Sequence, residues 1–361
     1  MASGIDISGL TKNPLEVSEI GKFIVEKTFK DPVLNSIHTI YTGLKMKEQI
    51  VFAGQLGLTG IADSSCTRPN SGAKATLTEK YWEPVNVGDT LVHCQKDVDA
   101  LFKAYYSKIT EYSQKFNIEG SELEKLFSVM LSEAAMKAVW RLAWLGNKEV
   151  AGAGANTAGL KDATTYAKFF NLMDGLWDQI FTAKTAGDIT AYFEITENAQ
   201  DTIAAQTALG DGESITIFEG LWAKADSRLR SDSTAKLLVS RGIFDNYRKY
   251  LQGKGENSTI AYTMDGFPML KWNGLEVINM ETVWDLALQA YFTNNTTNNA
   301  YFLPNRVVLT TPSNIPIGTL NDGDMTSLEA FYDQKERQMY MGYGFTLDAK
   351  MLEPYMIAVA Y

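Results

Sequence analysis

Only two histidines and two cysteines occur in the 361 residues. These are the side chains that most often act as general base, nucleophile or soft metal ligand near neutral pH, so such chemistry has few places to arise. His93 and Cys94 are neighbours in a strand-like run, and consecutive strand side chains point to opposite faces, so they make no dyad there. His38 stands in a stretch of mixed Gly, Asn and Pro composition. Cys66 stands in a glycine-rich one and reads as a small inert thiol. Two thiols are too few for an all-cysteine zinc site or a disulfide-stapled scaffold, and they fit a reducing compartment. Asp322, Asp324 and Glu329 offer oxygen ligands but lack the alternation and glycine of a calcium loop, and they read as an acidic turn entering a helix. The pairs Asp97 with Asp99 and Glu194 with Glu197 read as solvated faces. Gly152, Gly154 and Gly159 miss the dinucleotide spacing and read as a linker, and neither a phosphate-binding P-loop nor a serine elbow is present. The residues therefore name no catalytic side chain, no metal ligand and no cofactor.

Composition narrows the classes further. The chain is 45% hydrophobic and 21% charged, enough to bury a sizeable core. Its formal charge is -10, and its arginines are spread from Arg68 to Arg337 with no basic cluster, which argues against tight sequence-independent DNA binding. The first residues carry no export signal, no run approaches the ~20 apolar residues of a membrane span, and the sequons at Asn257, Asn294 and Asn295 read as loop composition.

The elements follow from periodicity. A short helix is predicted at 17–29 within an arm that stands apart from the core. Residues 44–77 alternate apolar side chains with Gly54, Gly57, Gly60 and Gly72, which makes an extended loop that needs a partner to become ordered. Strand chemistry at 82–94 is interrupted by a turn signal at Gly88 and Asp89. Helices are predicted at 97–112 and at 121–145. The second is capped by Ser121, stopped by Gly146 and about 37 Å long, with Phe127, Met130, Trp140 and Trp144 on its packing face. Further helices are predicted at 164–183 and at 232–251 with Asp232 as cap, and strands at 191–195, 214–217, 259–263, 306–310, 337–347 and 354–361. Asn273 and Gly274 make a type I′ turn between 269–272 and 275–278, since both positions need positive φ. Seven tryptophans point to core packing first and partner surfaces second. An acidic α+β chain with long extended elements and no evident active site favours an assembly protein over an enzyme using scattered carboxylates.

Several segments also resemble the major capsid proteins of tailed bacteriophages with the Hong Kong 97-type fold, of a kind seen in phages of Bacteroidota. They are IFDNYRKYLQGKG, then DGFPMLKWNGLEVINMETVWD, then LPNRVVLTTPSNIPIGT with its Asn314 to Gly318 turn, and the helix ending AVWRLAWLGNKEVAG. The resemblance implies an α+β fold with an N-terminal arm at 1–42, an extended E-loop at 43–80, and a peripheral domain at 81–159 holding a spine helix at 121–145. An axial domain at 160–304 and C-terminal peripheral strands at 305–361 complete it.

The same resemblance implies a shell of hexamers and pentamers enclosing double-stranded DNA without sequence-specific binding. It implies portal and scaffolding proteins as partners, decoration proteins as a further class, and no membrane. The shell would be made in a bacterial host's cytoplasm and located in the virion. On that reading Gly54, Gly57, Gly60, Arg68 and Gly72 belong to the inter-subunit loop, and Asn273, Gly274, Asn314 and Gly318 to structural turns. An encapsulin-like compartment shell is the alternative within the same fold. Tail-tube and surface-layer roles are rivals of another geometry.

Overall fold

The computed structural model describes residues 32–53, 59, 71–72, 77–94, 122–150, 159–254, 261–262, 268–293, 302–320, 329–333 and 338–361. The expectations attached to Gly54, Gly57, Gly60, Cys66, Arg68, Asp97, Asp99, Ser121, Gly152, Gly154, Asn257, Asn294, Asn295, Asp322 and Asp324, and the helices at 17–29 and 97–112, lie outside the described residues.

The strands, in chain order, are β1 (Ile40–Tyr41), β2 (Gln49–Ala53), β3 (Leu77–Tyr81), β4 (Val85–Cys94), β5 (Tyr192–Phe193), β6 (Lys236–Val239) and β7 (Ala261–Tyr262). They continue with β8 (Pro268–Trp272), β9 (Leu275–Asn279), β10 (Val307–Thr310), β11 (Ile317–Gly318), β12 (Glu329–Asp333), β13 (Gln338–Ala349) and β14 (Ile357–Ala360). The helices used below are α1 (Pro32–Ile37), α2 (Glu122–Leu145), α3 (Leu176–Ala186), α4 (Glu213–Lys224), α5 (Arg241–Gly253) and α6 (Asp285–Tyr291).

The apolar runs KLLV, VVLT and IAVA build the centre of a seven-stranded sheet ordered β5-β14-β10-β6-β9-β8-β7. Alternate residues of these runs face opposite ways, and both faces are covered. Leu238, Val308, Ile357 and Val359 join Trp144, Trp177 and Ile180, supplied by α2 and α3. Leu237, Val239, Val307, Leu309, Ala358 and Ala360 join Phe218, Leu221, Ile243 and Phe244, supplied by α4 and α5. A sheet between two helical layers is the result. The second sheet is built on β13, which carries β4 along one edge from Gln338↔Cys94 to Leu347↔Val85. Its other edge carries β12 at the start and β11 at the end, and β1 adds parallel to β11.

Several local expectations gave way to these long-range pairings. Residues 232–251 are not one helix: β6 precedes α5, whose N-cap is Ser240, while the Asp232 carboxylate accepts from the Thr234 amide and hydroxyl. A four-residue apolar run buried on both faces has no period of its own, so a helix and a strand read alike there. Residues 214–217 are the start of α4, because Ile217, Phe218 and Leu221 continue a helical stripe past the short alternation. No turn interrupts β4 at Gly88 and Asp89, since β13 pairs with the strand throughout and outweighs local turn preference. Glu329 opens a strand, not a helix.

The helix expected at 164–183 is broken. A short turn at Ala163–Tyr166 and a 3₁₀ turn at Ala167–Phe169 precede α3, whose N-cap is Gly175. Gly175 donates its amide to the Gly146 carbonyl at 2.9 Å, so the end of α2 and the start of α3 touch through backbone. A Cβ at residue 175 would lie 2.6 Å from Gly146 N and 2.9 Å from Leu142 O, neither of which yields like a side chain. Gly175→Ala is therefore expected to cost about 3 kcal/mol, read as a lowered urea midpoint with an unchanged slope. A cost near zero would mean the two backbones are not in contact.

Residues 34–41, expected to belong to an arm apart from the core, pack on it. Leu34 and Ile37 of α1 are buried in the same core as Trp144, and Ile40 and Tyr41 pair with Ile317 and Gly318. The division between residues 304 and 305 likewise runs through one sheet, since β10 and β14 lie beside β6.

Candidate functional site

His38 sits where the docked N-terminal segment meets the end of α2. Its ring is 1% exposed. Nδ1 lies 2.6 Å from the Ile315 carbonyl, which can only accept, so Nδ1 carries the proton and Nε2 accepts the Trp144 indole N–H at 3.1 Å. Burial holds the imidazole pKa down to about 4, with the Ile315 carbonyl pulling weakly the other way. Both ring nitrogens are committed, so His38 is a structural clasp and neither a base nor a metal ligand. Trp140 lies half-buried 5.5 Å from the same ring. Trp144 packs edge-on against Trp284 at 5.0 Å and tilted against Trp177 at 6.2 Å.

Asp285 and Arg306 are the other buried charges of note. The Asp285 carboxylate accepts the Arg241 amide at 3.1 Å and so ties the N-terminus of α5 to α6. Burial pushes its pKa up to about 6, against the pull of that amide and of Arg306. Because the folded value lies above the unfolded one, its contribution favours the fold below the ordinary carboxylate range and is lost as pH rises through 6. Arg306 donates Nε to the Leu303 carbonyl at 2.7 Å and lies 4.4 Å from the centre of the Trp177 ring. Among the described residues no group of three His, Cys, Asp or Glu side chains is placed to hold a metal ion. No described helix is long and apolar enough to cross a membrane.

The ribbon of β2 and β3 is the feature that stands out from the packed body. Its antiparallel register sets Gln49 opposite Tyr81, Ile50 opposite Lys80 and Val51 opposite Glu79, and among the described residues it pairs with no other strand. Strand alternation puts Gln49, Val51, Glu79 and Tyr81 on one face and Ile50 and Lys80 on the other. The first face is open: Val51 is 53% and Tyr81 45% exposed, and Met46, just before the ribbon, is 70% exposed. The second face turns to the body, where Lys80 Nζ donates to the Met351 carbonyl.

The foot of the ribbon is tightly fixed. Lys47 turns at φ 61 and donates to the Trp82 carbonyl at 2.9 Å, and Trp82 donates to the Glu48 carbonyl at 3.0 Å. The Glu83 amide donates to Asp348 Oδ2 at 2.7 Å. The Trp82 indole lies over Gly318, where a Cβ would come within 2.6 Å of the ring. Gly318 is therefore a strand residue kept small by a tryptophan, not part of a turn.

The remaining residues singled out in the sequence are dispersed. Gly72 is exposed at φ 68. Asn273 and Gly274 take φ 52 and 85 between β8 and β9. Asn314 is buried, accepts the Glu353 amide at 2.7 Å and donates to the Glu353 carbonyl at 3.1 Å, joining β10 to the segment before β14. Phe127 and Met130 lie in the first half of α2, and the packing expected of them lies outside the described side chains. Lys80, Asp348 and the clasp role of His38 were missed. Their partners lie hundreds of residues away, and no local signal marks them.

No family model matches the chain, and no curated protein matches it. In structure it is similar to a chain of the satellite phage P4 procapsid including size determination (Sid) protein, with TM-score 0.49 and 10% identity, covering 94% of this chain and 98% of that one. It is also similar to a chain of Mycobacterium phage Ogopogo, with TM-score 0.47 and 12% identity, covering 91% of each chain. A third likeness is to a chain of the cyanophage A-1(L) capsid asymmetric unit, with TM-score 0.44 and 12% identity, covering 91% of this chain and 92% of that one.

Proposed function

We propose that the chain is the shell-forming subunit of a tailed-phage head, a major capsid protein of the Hong Kong 97 type. One observation carries this reading beyond the sequence resemblance: a two-stranded ribbon whose open face exposes Val51 and Tyr81 beside Gln49 and Glu79, rooted by backbone bonds and unpaired to any other described strand. A two-stranded ribbon is marginal in water, and while the body covers one face of this one, a neighbouring copy would cover the other. Repeated around a closed shell, many such modest contacts sum to a durable container. The long helix α2 acts as the spine, the seven-stranded sheet with its two helical layers as the axial body, and the β13 sheet as the periphery. Hexamers and pentamers, a portal and scaffolding or decoration proteins complete the assembly. The charge of -10 suits a lining that does not snag DNA phosphate, and shells that bind short DNA tightly at low salt would refute that part.

Negative-stain microscopy and sedimentation of the recombinant chain, with and without its scaffolding protein, test the reading. Closed particles or rings of five and six support it; a strict monomer under both conditions overturns it. Within the same assay Val51→Glu is expected to leave monomer stability within about 0.5 kcal/mol, because the side chain is exposed. Shell yield is expected to fall at least ~10-fold, since the charge would be buried without a partner on the neighbouring subunit. Unchanged yield would remove the ribbon's open face from the interface.

A further inference from the structure

The root of the ribbon contains a fastening that ordinary packing does not require. Lys80 belongs to β3 itself, and its amine crosses to the carbonyl of Met351, 271 residues away. That carbonyl belongs to a segment held on both sides: Gln179 of α3 accepts the Met351 amide at 2.8 Å and donates to the Ala349 carbonyl at 2.7 Å. Met351 is itself buried. Two residues beyond the ribbon, the Glu83 amide donates to Asp348 Oδ2, which also stands 3.4 Å from Lys350 Nζ. A long flexible side chain thus reaches from the inner face of the ribbon to a rigid acceptor on the body. Taking an ammonium group partly out of water is costly unless it finds an acceptor, so an apolar residue beside Ile50 would pack more cheaply at this position.

We infer that Lys80 is a latch, whose bond to the Met351 carbonyl sets the angle at which the β2–β3 ribbon leaves the body. The inference rests on the shell reading for its purpose, since a fixed angle presents the open face of the ribbon to a neighbour before contact and lowers the ordering cost of assembly. The backbone bonds at Lys47, Glu48 and Trp82 hold the foot of the ribbon, while Lys80 restrains the blade above it.

The test is a distance measurement on the unassembled full chain. Nitroxide labels are placed at the exposed positions Val51→Cys and Lys249→Cys, with Cys66 and Cys94 replaced by serine, and read by double electron–electron resonance. The unaltered latch should give one narrow distance distribution. Lys80→Met keeps the stem and loses the donors, and its distribution should shift or about double in width, while Lys80→Arg, which still reaches the carbonyl, should restore the narrow form. Lys80→Gln takes the place of the methionine variant if that variant fails to fold. A distribution for Lys80→Met or Lys80→Gln that superposes on the parent would overturn the latch, whatever its effect on melting temperature. If the parent chain never closes into shells the functional reading falls, yet the same distances still decide whether Lys80 restrains the ribbon.

Discussion

Trp144→Ala is expected to destabilise the chain by about 3–5 kcal/mol, the range for deleting a fully buried large aromatic side chain. Trp144 has no exposed surface and lies where α1, α2, α3 and α6 meet, in ring contact with His38, Trp177 and Trp284. The truncation also takes away the indole donor to His38, leaving Nε2 buried with its acceptor capacity unmet, a loss of about 1–3 kcal/mol by itself. The two effects share one site and do not simply add. Trp144→Phe separates them, because it keeps most of the ring and removes the N–H. Urea unfolding followed by circular dichroism should rank the parent above Trp144→Phe and Trp144→Phe above Trp144→Ala, with the phenylalanine variant losing about 1–3 kcal/mol. If Trp144→Ala loses less than about 1 kcal/mol, the docking of residues 32–41 on the end of α2 is wrong.

Acid should unfasten the same clasp. The His38 imidazole goes from an ordinary 6.5 in the unfolded chain to about 4 in the fold, because burial disfavours its charged form. A depressed folded value means the stabilisation is fully present above pH 6.5 and is lost progressively as pH falls from there to about 4. At about 1.4 kcal/mol per unit of separation, the loss is of order 3 kcal/mol. Protonation has a specific structural meaning: Nε2 acquires a hydrogen and faces the Trp144 N–H, so a donor meets a donor. His38→Gln has no ionisable ring and should be less stable than the parent at pH 7, yet lose about 2–3 kcal/mol less than the parent between pH 7 and pH 4.5. Asp285 works with the opposite sign over part of this window, but it is common to both chains and cancels in the difference. Parallel pH slopes for parent and variant would show that His38 is not the titrating group.

What could be read from the residues alone was whatever one residue or one short period decides. Asn273 and Gly274 announce a hairpin because both central positions of its turn need positive φ, and their values of 52 and 85 meet that need locally. Gly146 ends α2, whose helical stripe repeats over many residues, and the strands expected at 306–310 and 354–361 are found at Val307–Thr310 and Ile357–Ala360. Of the glycine-rich stretch expected at 44–77 to be an extended loop, the glycines 54, 57 and 60 lie outside the described residues. The proposal of a shell entered through the resemblance of short structural segments, not through any chemically marked residue.

Tertiary structure decided the rest, because those choices are made between residues that have no influence on one another until the chain closes. Gly88 carries a turn signal and becomes the middle of a ladder once β13 offers it a partner. The KLLV run becomes a strand because β9 and β10 flank it on both sides. His38 looked like part of a detached arm and is instead clasped to a carbonyl 277 residues away. Lys80, which nothing in the sequence singles out, fastens a ribbon to a carbonyl near the other end of the chain. Local sequence sets the conformations each segment can adopt at little cost, while burial summed over distant partners selects among them, and those partners supply differences of several kcal/mol where local preference supplies about 1 kcal/mol or less.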